Sequence, residues 1–515
     1  MSDKLSLGRK LVANTAMNFI GQAILMLLTF FATPYLIRHF GSVRYGALLL
    51  LLSFINLLNL FQLGMNTGLV KYLAEDFGHS NHEDSRRLLN TGLTLYLLVG
   101  ALPSIVLAVL ARWSAARFFH VPADLQHDIV LSLYVVSLAF VVRFVAEVFN
   151  AVPIAAQRFG IVSAIFVGSE CVRTLGSVLM VYLGFLLKAV IVVNFLANAL
   201  FLVGSIVAAK YLVPGLHLRL LYSRDHISKL WHFSKFVALG TIFSRVSGSI
   251  DGLIIGSLMP AAYVAFYFVP WSLCYRMWAL AFNVTTAAFP AASAMASSGN
   301  MEKLKDLYLR GNKMVMGLAA LPALALALMS QEVLRYWISP EFAIQGSLTL
   351  KLLSVAFYVN CLVHMPDAIC SGVGKPRIGA EYSVVESTLK IGSLFALVPR
   401  FGIVGAASGY LAVQVILAPW FLKRTNALVD ARWRDLFVGS YAPLAFPVGI
   451  TGLFISLARP HISSLPSLIF VLGLVAIIYV AMAAIFILDK KERSACLSLL
   501  SQRLPISAAS HEVQP

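Results

Sequence analysis

The sequence is poor in charged residues. Asp, Glu, Lys and Arg make up 12% of its 515 residues, whereas a soluble protein of ordinary composition contains about 25%. Hydrophobic residues account for 59% of the chain, and the mean hydropathy is +0.83. This shortage of charge excludes a water-soluble globular protein, because too few polar side chains would be available to shield the apolar surface from water. The composition predicts an all-α polytopic membrane protein.

Cysteine is scarce as well: the chain has five, and no two stand at the CxxC spacing. Four of them fall within apolar runs, which predicts inert buried thiols. A nucleotide-binding loop is also missing, because Pro376 follows Gly372-Val-Gly-Lys375, at a position where a phosphate loop requires Ser or Thr. We therefore expect no metal site, no cofactor and no ATPase domain.

Acidic residues are few compared with basic ones, 23 against 40, which gives a formal net charge of +17. In a soluble protein this excess would suggest nucleic-acid binding, but here the basic residues lie mostly in short loops between apolar runs. With the N-terminus inside, 26 basic residues fall in cytoplasmic segments and 8 on the opposite side. This is the positive-inside distribution. The sequence therefore predicts that both termini are cytoplasmic, and that there is no nucleic-acid partner.

Long apolar runs are abundant. About 14 of them have the length that a membrane-spanning helix needs, from the first at roughly 11–37 to the last at roughly 467–488. No connection between them is long enough for a soluble domain, which excludes a separate catalytic domain and favours a transporter over an enzyme. The longest polar connection, near Tyr211–His232, predicts an amphipathic helix on the membrane surface.

An internal repeat relates two parts of the chain at an offset of 219 residues (240 − 21 = 219). The offset takes Gly21 to Gly240, Asn81 to Asn300, Arg158 to Arg377, and Ala101-Leu102-Pro103 to Ala320-Leu321-Pro322. It predicts two parallel six-helix bundles, residues 1–212 and 213–430, around a central cavity. Residues 431–515 would then add two C-terminal helices and a cytoplasmic tail.

Three stretches carry a resemblance to a known family. Gly41–Glu75 begins with a Gly/Tyr turn, continues as an apolar run with one polar face, and ends in the Gly-broken segment Gly64–Gly68. Asp251–Gly256 with the following Ala262-Tyr263, and also Phe401–Ala407, look like helix-to-helix turns of the same family. In these features the chain resembles the polysaccharide transporters, the O-antigen or repeat-unit flippases, of the multidrug/oligosaccharidyl-lipid/polysaccharide exporter superfamily.

The resemblance implies a flippase that moves undecaprenyl-diphosphate-linked oligosaccharide repeat units across the bacterial cytoplasmic (inner) membrane by alternating access. Such a protein would serve surface polysaccharide biosynthesis, of O-antigen or exopolysaccharide. Its partners would be the lipid-linked sugar, membrane lipids, a coupling ion such as H+ or Na+, and a downstream polymerase or export machinery. Two alternatives stay open. An ion-coupled multidrug or cation antiporter of the same superfamily would have an acid-rich cavity, and an integral-membrane glycan polymerase or ligase would need a large catalytic loop.

Ionisable residues inside the apolar runs are candidate site residues, because a charge at mid-bilayer costs about 2.5–3.5 kcal/mol. Three pairs stand at helical spacing and can neutralise themselves on one helix: Arg143/Glu147, Glu170/Arg173 and Glu386/Lys390. They are either structural ion pairs or a polar cavity lining. Arg245 and Arg276 have no acid at such spacing, which favours a diphosphate ligand, although an acid on another helix could pair with them instead.

Amide side chains recur on one face of each of the first two helices. They predict either hydrogen bonds between helices or a cavity wall that meets sugar hydroxyls. The aromatic stripe Trp271, Tyr275, Trp278 and Phe282 is either core packing or a stacking wall. The predicted cavity lining is Arg245, Arg276, Arg143, Arg173, Lys390, Asn18, Gln22, Asn56, Asn59 and Gln62. The candidates for ion coupling are Asp251, Asp367, Glu147, Glu170 and Glu386.

Overall fold

The part of the chain that the computed structural model describes is helical, and no β-strand occurs in it. The described residues are 2–62, 65–79, 81–118, 120–487 and 493, and their side chains are described except at 2–20, 62, 118, 233, 235–247, 249 and 286–287. Helices are the expected form for so apolar a chain, because lipid offers no hydrogen-bond partner to backbone N–H and C=O groups. The predicted all-α fold class is confirmed.

The first half of the described chain holds eight α-helices: α1 (Ser2–Leu58), α2 (Met65–Gly78), α3 (His82–Trp113), α4 (Ala123–Ala155), α5 (Phe159–Tyr182), α6 (Leu187–Leu212), α7 (Arg224–Leu258) and α8 (Ala261–Ser297). A 3-10 turn, Asn59–Gln62, follows α1, and a π-helical turn, Ser114–Phe118, follows α3.

The second half holds another eight: α9 (Met301–Leu328), α10 (Ser330–Trp337), α11 (Pro340–Cys361), α12 (His364–Gly372), α13 (Arg377–Leu428), α14 (Trp433–Leu436), α15 (Ala442–Ala458) and α16 (Leu465–Phe486). Across the described residues, 11 helical segments are long and apolar enough to cross a membrane. Two of these segments are divided by a kink. The exact number of 14 spans stays a prediction.

Both kinks fall at glycines that the sequence places in turns. Gly41 interrupts α1 with φ 76°, and Gly402 interrupts α13 with φ 59°. A positive φ strains any residue with a Cβ atom, so glycine is the residue that lets these long helices turn. The turns expected at Gly41 and within Phe401–Ala407 are therefore confirmed.

The repeat offset is matched by backbone geometry at a helix start. Asn81 precedes α3 with φ −89° and ψ 74°, and its side chain accepts a hydrogen bond from the Asp84 N–H. Asn300 precedes α9 with φ −86° and ψ 76°, and accepts from the Lys303 N–H in the same way. Both are N-caps that satisfy an otherwise unpaired helix donor. The two sequence copies thus begin equivalent helices with the same local structure.

The connection between α6 and α7 corrects one expectation. Residues 216–223 have no regular secondary structure, and the helical part of the predicted stretch near Tyr211–His232 is the start of α7 at Arg224 and no separate helix. Side chains of α3 hold this segment: Asn90 donates to the His217 carbonyl and accepts from the Arg219 N–H, and Thr94 accepts from the Leu221 N–H. These hydrogen bonds replace those that a helix would form within itself.

Packing divides the chain into two compact units, which we describe separately. Unit 1 comprises Met1–Trp271, Trp337–Thr349 and Ala380–Val413, and unit 2 comprises Ser272–Tyr336, Leu350–Gly379 and Gln414–Pro515. Packing is a different criterion from sequence repetition. The division into 1–212, 213–430 and 431–515 remains a prediction.

Glycines allow α1 to pack closely on α7 and α8 inside unit 1. A Cβ atom on Gly46 would overlap the carbonyl of Ala261, at the start of α8. A Cβ atom on Gly256 of α7 would likewise overlap the side chain of Leu50. Two of the stretches that carry the family resemblance therefore meet here, and their glycines serve close helix contact.

Candidate functional site

A polar cavity of about 280 Å³ lies within unit 1. It is lined by Leu52, Ile55, Asn56, Asn59, Arg143, Glu170, Arg173, Asn194 and Asn198. Seven of these nine residues are amides or charged, and all lie in segments apolar enough to span a membrane. Ionisable residues in such segments are usually functional, because they are costly to place in lipid. The volume is at the lower end for ligand pockets, so it suits a head-group fragment better than a whole oligosaccharide.

Arg143 on α4 contacts Glu147 and Phe201. Its guanidinium lies 3.1 Å from a carboxylate oxygen of Glu147, one turn along the same helix. Its Cζ atom lies 3.7 Å from the ring centroid of Phe201 on α6. The second oxygen of Glu147 accepts a hydrogen bond of 3.2 Å from Asn66 on α2. The predicted Arg143/Glu147 pair is confirmed, and its packing fixes the guanidinium at the cavity.

Arg173 on α5 contacts Glu170 and Asn198. Its guanidinium lies 3.3 Å from Glu170 and donates a hydrogen bond of 3.0 Å to the Asn198 side-chain oxygen. Its Nε atom is buried and has no hydrogen-bond partner among the described residues. Arg143 is also near enough to repel it. The predicted Glu170/Arg173 pair is confirmed, and one of its donors is left unused.

The cavity therefore joins two arginines, a glutamate and four amides. Each arginine has a carboxylate partner, so the neighbourhood is close to neutral overall, and a bare anion gains less here than beside two unpaired guanidinium groups. Guanidinium and amide donors bind phosphate oxygens and sugar hydroxyls. The arrangement can hold a polar or anionic head group inside a largely apolar protein.

Sequence reasoning placed Asn56 and Asn59 in the cavity but missed two of its amides. Asn194 and Asn198 lie on α6, and both are buried. Asn194 donates to the Val190 carbonyl of its own helix, whereas Asn198 contacts Arg173. The signal in the sequence is the i,i+4 spacing of two amides within an apolar run, which puts both on one helix face.

Two further predicted residues meet elsewhere in unit 1. The Lys390 Nζ atom on α13 lies 3.0 Å from a carboxylate oxygen of Asp251 on α7, and both side chains are almost fully buried. Tyr267 donates a hydrogen bond of 3.0 Å to the other oxygen of Asp251. The ring of Tyr410 lies 5.2 Å from the ammonium group. Neither residue lines the polar cavity described above.

In unit 2 the candidates are dispersed. Arg276 on α8 is half-buried and interacts with other residues. The carboxylate of Asp367 lies against Gly379, in the first turn of α13, where a helix N-terminus favours negative charge. The rings of Tyr275, Trp278 and Phe282 stack at 5.3 and 5.4 Å, and Trp278 donates a hydrogen bond of 2.6 Å to Asn360.

The remaining candidates are not brought to the cavity or lie outside the description. The side chains of Asn18, Gln62 and Arg245 fall outside the described residues, so the expected contact of Arg245 and Arg276 with a diphosphate stays a prediction. Gln22 is exposed on α1, and Glu386 is half-buried on α13 and interacts with other residues.

Comparison with solved structures finds transporters of one fold. The structure is similar to the lipid II flippase MurJ in an inward closed conformation, with a TM-score of 0.65 and 10% identity, over 92% of this chain and 98% of that chain. It is also similar to an inward-facing multidrug resistance MATE family transporter of the MOP superfamily, with a TM-score of 0.62 and 16% identity, over 80% and 99% of the two chains. At these identities the likeness establishes the fold.

Sequence comparison adds the family. A protein of Shigella flexneri named as an O-antigen transporter is 22% identical over 434 residues, which cover 82% of this chain and 99% of that protein. The family model described as "Polysaccharide biosynthesis protein" matches residues 35–342, more than half of the chain. This chain therefore belongs to the family described as "Polysaccharide biosynthesis protein".

Proposed function

We propose that this protein is a flippase that translocates undecaprenyl-diphosphate-linked oligosaccharide repeat units across the bacterial cytoplasmic membrane for surface polysaccharide biosynthesis. The observation that carries the proposal is the cavity of unit 1, where Arg143, Arg173 and four asparagines converge within candidate membrane spans. A lipid-linked sugar combines phosphate oxygens with many hydroxyls, and these are the groups that guanidinium and amide donors bind. Family membership supports the substrate class.

In this proposal the anionic head of the lipid contacts Arg143 and Arg173, and the adjoining sugar contacts the asparagines. The prenyl chain stays in lipid, because the cavity has room for a head-group fragment and no more. Arg245 and Arg276 each remain a candidate for phosphate contact. A diphosphate with about two negative charges is subject to about 2.3 kcal/mol per charge for each 100 mV of membrane potential. The potential could therefore assist transport without any nucleotide hydrolysis.

The proposed orientation has both termini in the cytoplasm, as the distribution of basic residues predicts. Transport would proceed by alternating access, since the fold is that of transporters whose structures are named as inward-facing, inward closed and outward-facing. A downstream polymerase or export machinery would then use the translocated repeat unit.

The proposal is tested by deleting the gene and analysing surface polysaccharide together with prenyl-linked oligosaccharide. We expect the surface polysaccharide to be lost and the lipid-linked repeat unit to accumulate in the cytoplasmic leaflet. The wild type should restore transport, whereas R143Q and R173Q should not, because each removes a charged donor from the cavity. R87Q is the matched control, because Arg87 also pairs with a glutamate at i,i+4, Glu83, but on the exposed surface.

A cation antiporter of the same superfamily is the alternative that this experiment separates. Glu170 at the cavity is the observation in its favour, since carboxylates attract organic cations. It predicts that overexpression exports cationic dyes and that deletion leaves surface polysaccharide intact. That pair of results would contradict the flippase proposal.

A further inference from the structure

The two arginines that line the cavity of unit 1 differ in which of their donors the protein already engages. The Arg173 Nη2 atom donates to the Asn198 side-chain oxygen at 3.0 Å, and its Nη1 atom lies 3.3 Å from a carboxylate oxygen of Glu170. Its Nε atom is buried, out of reach of a ligand. Both nitrogens at the end of this guanidinium therefore already have protein partners.

Arg143 presents the opposite arrangement. Its Nε and Nη2 atoms share one oxygen of Glu147, at 3.2 and 3.1 Å. Its Nη1 atom has no partner recorded among the described residues, and the side chain lines the cavity. A guanidinium binds phosphate through two parallel N–H donors on one edge. Nη1 and Nη2 of Arg143 can supply such a pair, because each carries two N–H groups and Glu147 takes only one of them.

Phe201 on α6 covers one face of the Arg143 guanidinium. The Cζ atom of Arg143 lies 3.7 Å from the centroid of this ring, and at that distance the face of the ring attracts the cation. Phe201 is 1% exposed and is not among the residues that line the cavity. The ring therefore does not meet a ligand in the cavity, but it fixes the plane of the group that does.

Two polar contacts fix how the guanidinium is turned within that plane. Glu147 receives the Nε and Nη2 donors, and Asn66 on α2 donates to the second oxygen of Glu147 at 3.2 Å. A side chain as long as Arg143 loses considerable rotamer freedom when it binds a ligand. Ordering it beforehand lowers that cost and so favours binding.

One face of α6 serves both arginines. Asn194, Asn198 and Phe201 stand four and three residues apart, so they share a side of the helix. Asn198 engages Arg173, and Phe201 covers Arg143. The same helix thus holds both guanidinium groups, but it occupies the end of Arg173 and leaves the end of Arg143 open to the cavity.

We propose that Phe201 is a positioning residue for a phosphate or diphosphate ester of a lipid, because it holds Arg143 with its Nη1/Nη2 edge toward the ligand. Arg143 makes the bidentate contact, whereas Arg173 contributes positive charge and keeps its hydrogen bonds to the protein. The inference rests on the proposed function, since it requires an anionic lipid head group as the ligand.

The test is the dissociation constant of farnesyl diphosphate, measured by isothermal titration of the purified full-length protein in detergent. F201L keeps an apolar side chain but removes the ring, and it should weaken binding by about three- to thirtyfold. F201Y keeps the ring and should bind within about twofold of wild type.

A double-variant cycle shows whether Phe201 acts through Arg143. R143K keeps the charge but loses the planar fork, and should weaken binding by about tenfold. In the R143K background F201L should change the affinity by less than about twofold, because an ammonium group is a point charge with rotatable donors and has no plane to orient. Additive effects of the two changes would contradict the proposal.

Two control variants separate positioning from general stability and charge. Phe342 on α11 is as buried as Phe201, and its ring packs against that of Phe266. F342L should lower the unfolding temperature much as F201L does and leave the affinity unchanged. R173K should bind within about threefold of wild type, because it keeps the charge. This comparison with R143K does not depend on whether F201L folds, and equal losses in the two lysine variants would overturn the assignment of the fork to Arg143.

Inorganic diphosphate as a second probe identifies which part of the ligand Phe201 affects. F201L should weaken its binding by the same factor, because the head group alone meets Arg143. A loss confined to farnesyl diphosphate would mean that Phe201 acts on the prenyl chain, which would overturn the proposal. Wild type should bind farnesyl diphosphate more tightly than inorganic diphosphate, and equal affinities would contradict a lipid ligand.

The outcomes also separate this inference from the proposed function. If wild type binds farnesyl diphosphate and F201L binds it equally well, or loses no more affinity than F342L, the positioning role is wrong and the flippase proposal stands. If wild type binds neither diphosphate, the placement of the head group in the cavity is wrong.

Discussion

Lys390 and Asp251 form an ion pair inside unit 1, with 3.0 Å between the ammonium nitrogen and a carboxylate oxygen and side-chain exposures of 7% and 2%. Sequence reasoning assigned Lys390, as the i,i+4 partner of Glu386, to the cavity and Asp251 to ion coupling, because ionisable residues at membrane depth are candidate site residues. In the structure the two residues pair with each other. Tyr267 donates a hydrogen bond to Asp251, and the ring of Tyr410 lies against the ammonium group of Lys390. A buried pair of this kind links α7 to α13.

Removing one partner of this pair should destabilise the protein strongly. K390M and D251N each leave an uncompensated buried charge, for which about 3–5 kcal/mol is typical. The double variant should be more stable than the sum of the two changes predicts, because it leaves no charge behind. Thermal unfolding in detergent measures all three. The exposed pair Arg87–Glu83 is the control, where the same changes should cost about 0–1 kcal/mol. Equal losses at both sites would contradict a structural role for the buried pair.

Pro34 makes possible a contact between α1 and Trp337. Proline has no N–H, so the carbonyl of Phe30, one turn earlier in α1, lacks its helical donor. The indole Nε1 of Trp337 donates to this carbonyl at 3.1 Å, and the two rings stack at 4.9 Å. W337F keeps the stacking and should lower the free energy of unfolding by about 1 kcal/mol. W337A should lower it by about 3–5 kcal/mol. Unfolding in detergent checks the ranking, and equal effects of the two variants would contradict the hydrogen bond.

Gly46 should not tolerate a methyl group. A Cβ atom there would overlap backbone atoms of Ala261, which cannot move as a side chain can. G46A is therefore expected to separate α1 from α8 and to lower the yield of folded protein in the membrane. Gly392 is the matched control, because a Cβ atom at this position in α13 meets nothing within 4 Å. G392A should be neutral or stabilising, as replacing Gly by Ala within a helix is favourable by about 1 kcal/mol.

Asp76, at the end of α2 and outside the candidate membrane spans, should make stability depend on pH. Burial raises the pKa of Asp76 from its ordinary value of 3.8, and the nearby Asp84 carboxylate raises it further, while Ser85, His226 and Lys229 oppose the shift. The folded state then holds this proton more tightly than the unfolded state does. Its stabilising contribution is full below pH 3.8 and is lost as pH rises through the raised pKa.

The D76N variant removes this titration. At neutral pH it should unfold at a higher temperature than wild type, because the amide keeps an acceptor for Ser85 without the charge. The difference should shrink as the pH is lowered. E75Q is the control, since Glu75 is an exposed neighbour on the same helix. If D76N is less stable than wild type at neutral pH, the carboxylate is favourable where it lies and the prediction is wrong.

The sequence was sufficient for two ion pairs whose spacing lies within one helix. Arg143 with Glu147 and Glu170 with Arg173 were predictable because residues three or four apart share a helix face whatever surrounds it. The turn at Gly41 was predictable for a similar reason, since glycine adopts a positive φ without steric strain wherever it stands. The helical class followed from composition, because lipid leaves the backbone no other partner.

What only the tertiary structure decided is which faces meet. Asn198 reaches Arg173 from another helix, and Lys390 reaches Asp251 from a distant part of the chain. Apolar residues of many kinds form membrane-spanning helices equally well. Sequence periodicity therefore shows which face of each helix is polar, but it does not show which other helix that face contacts. Helix packing selects that partner, because a buried charge or amide is stable only against a complementary group. The sequence thus determined which buried polar residues need a hydrogen-bond or ion-pair partner, and the tertiary structure determined which residue is that partner.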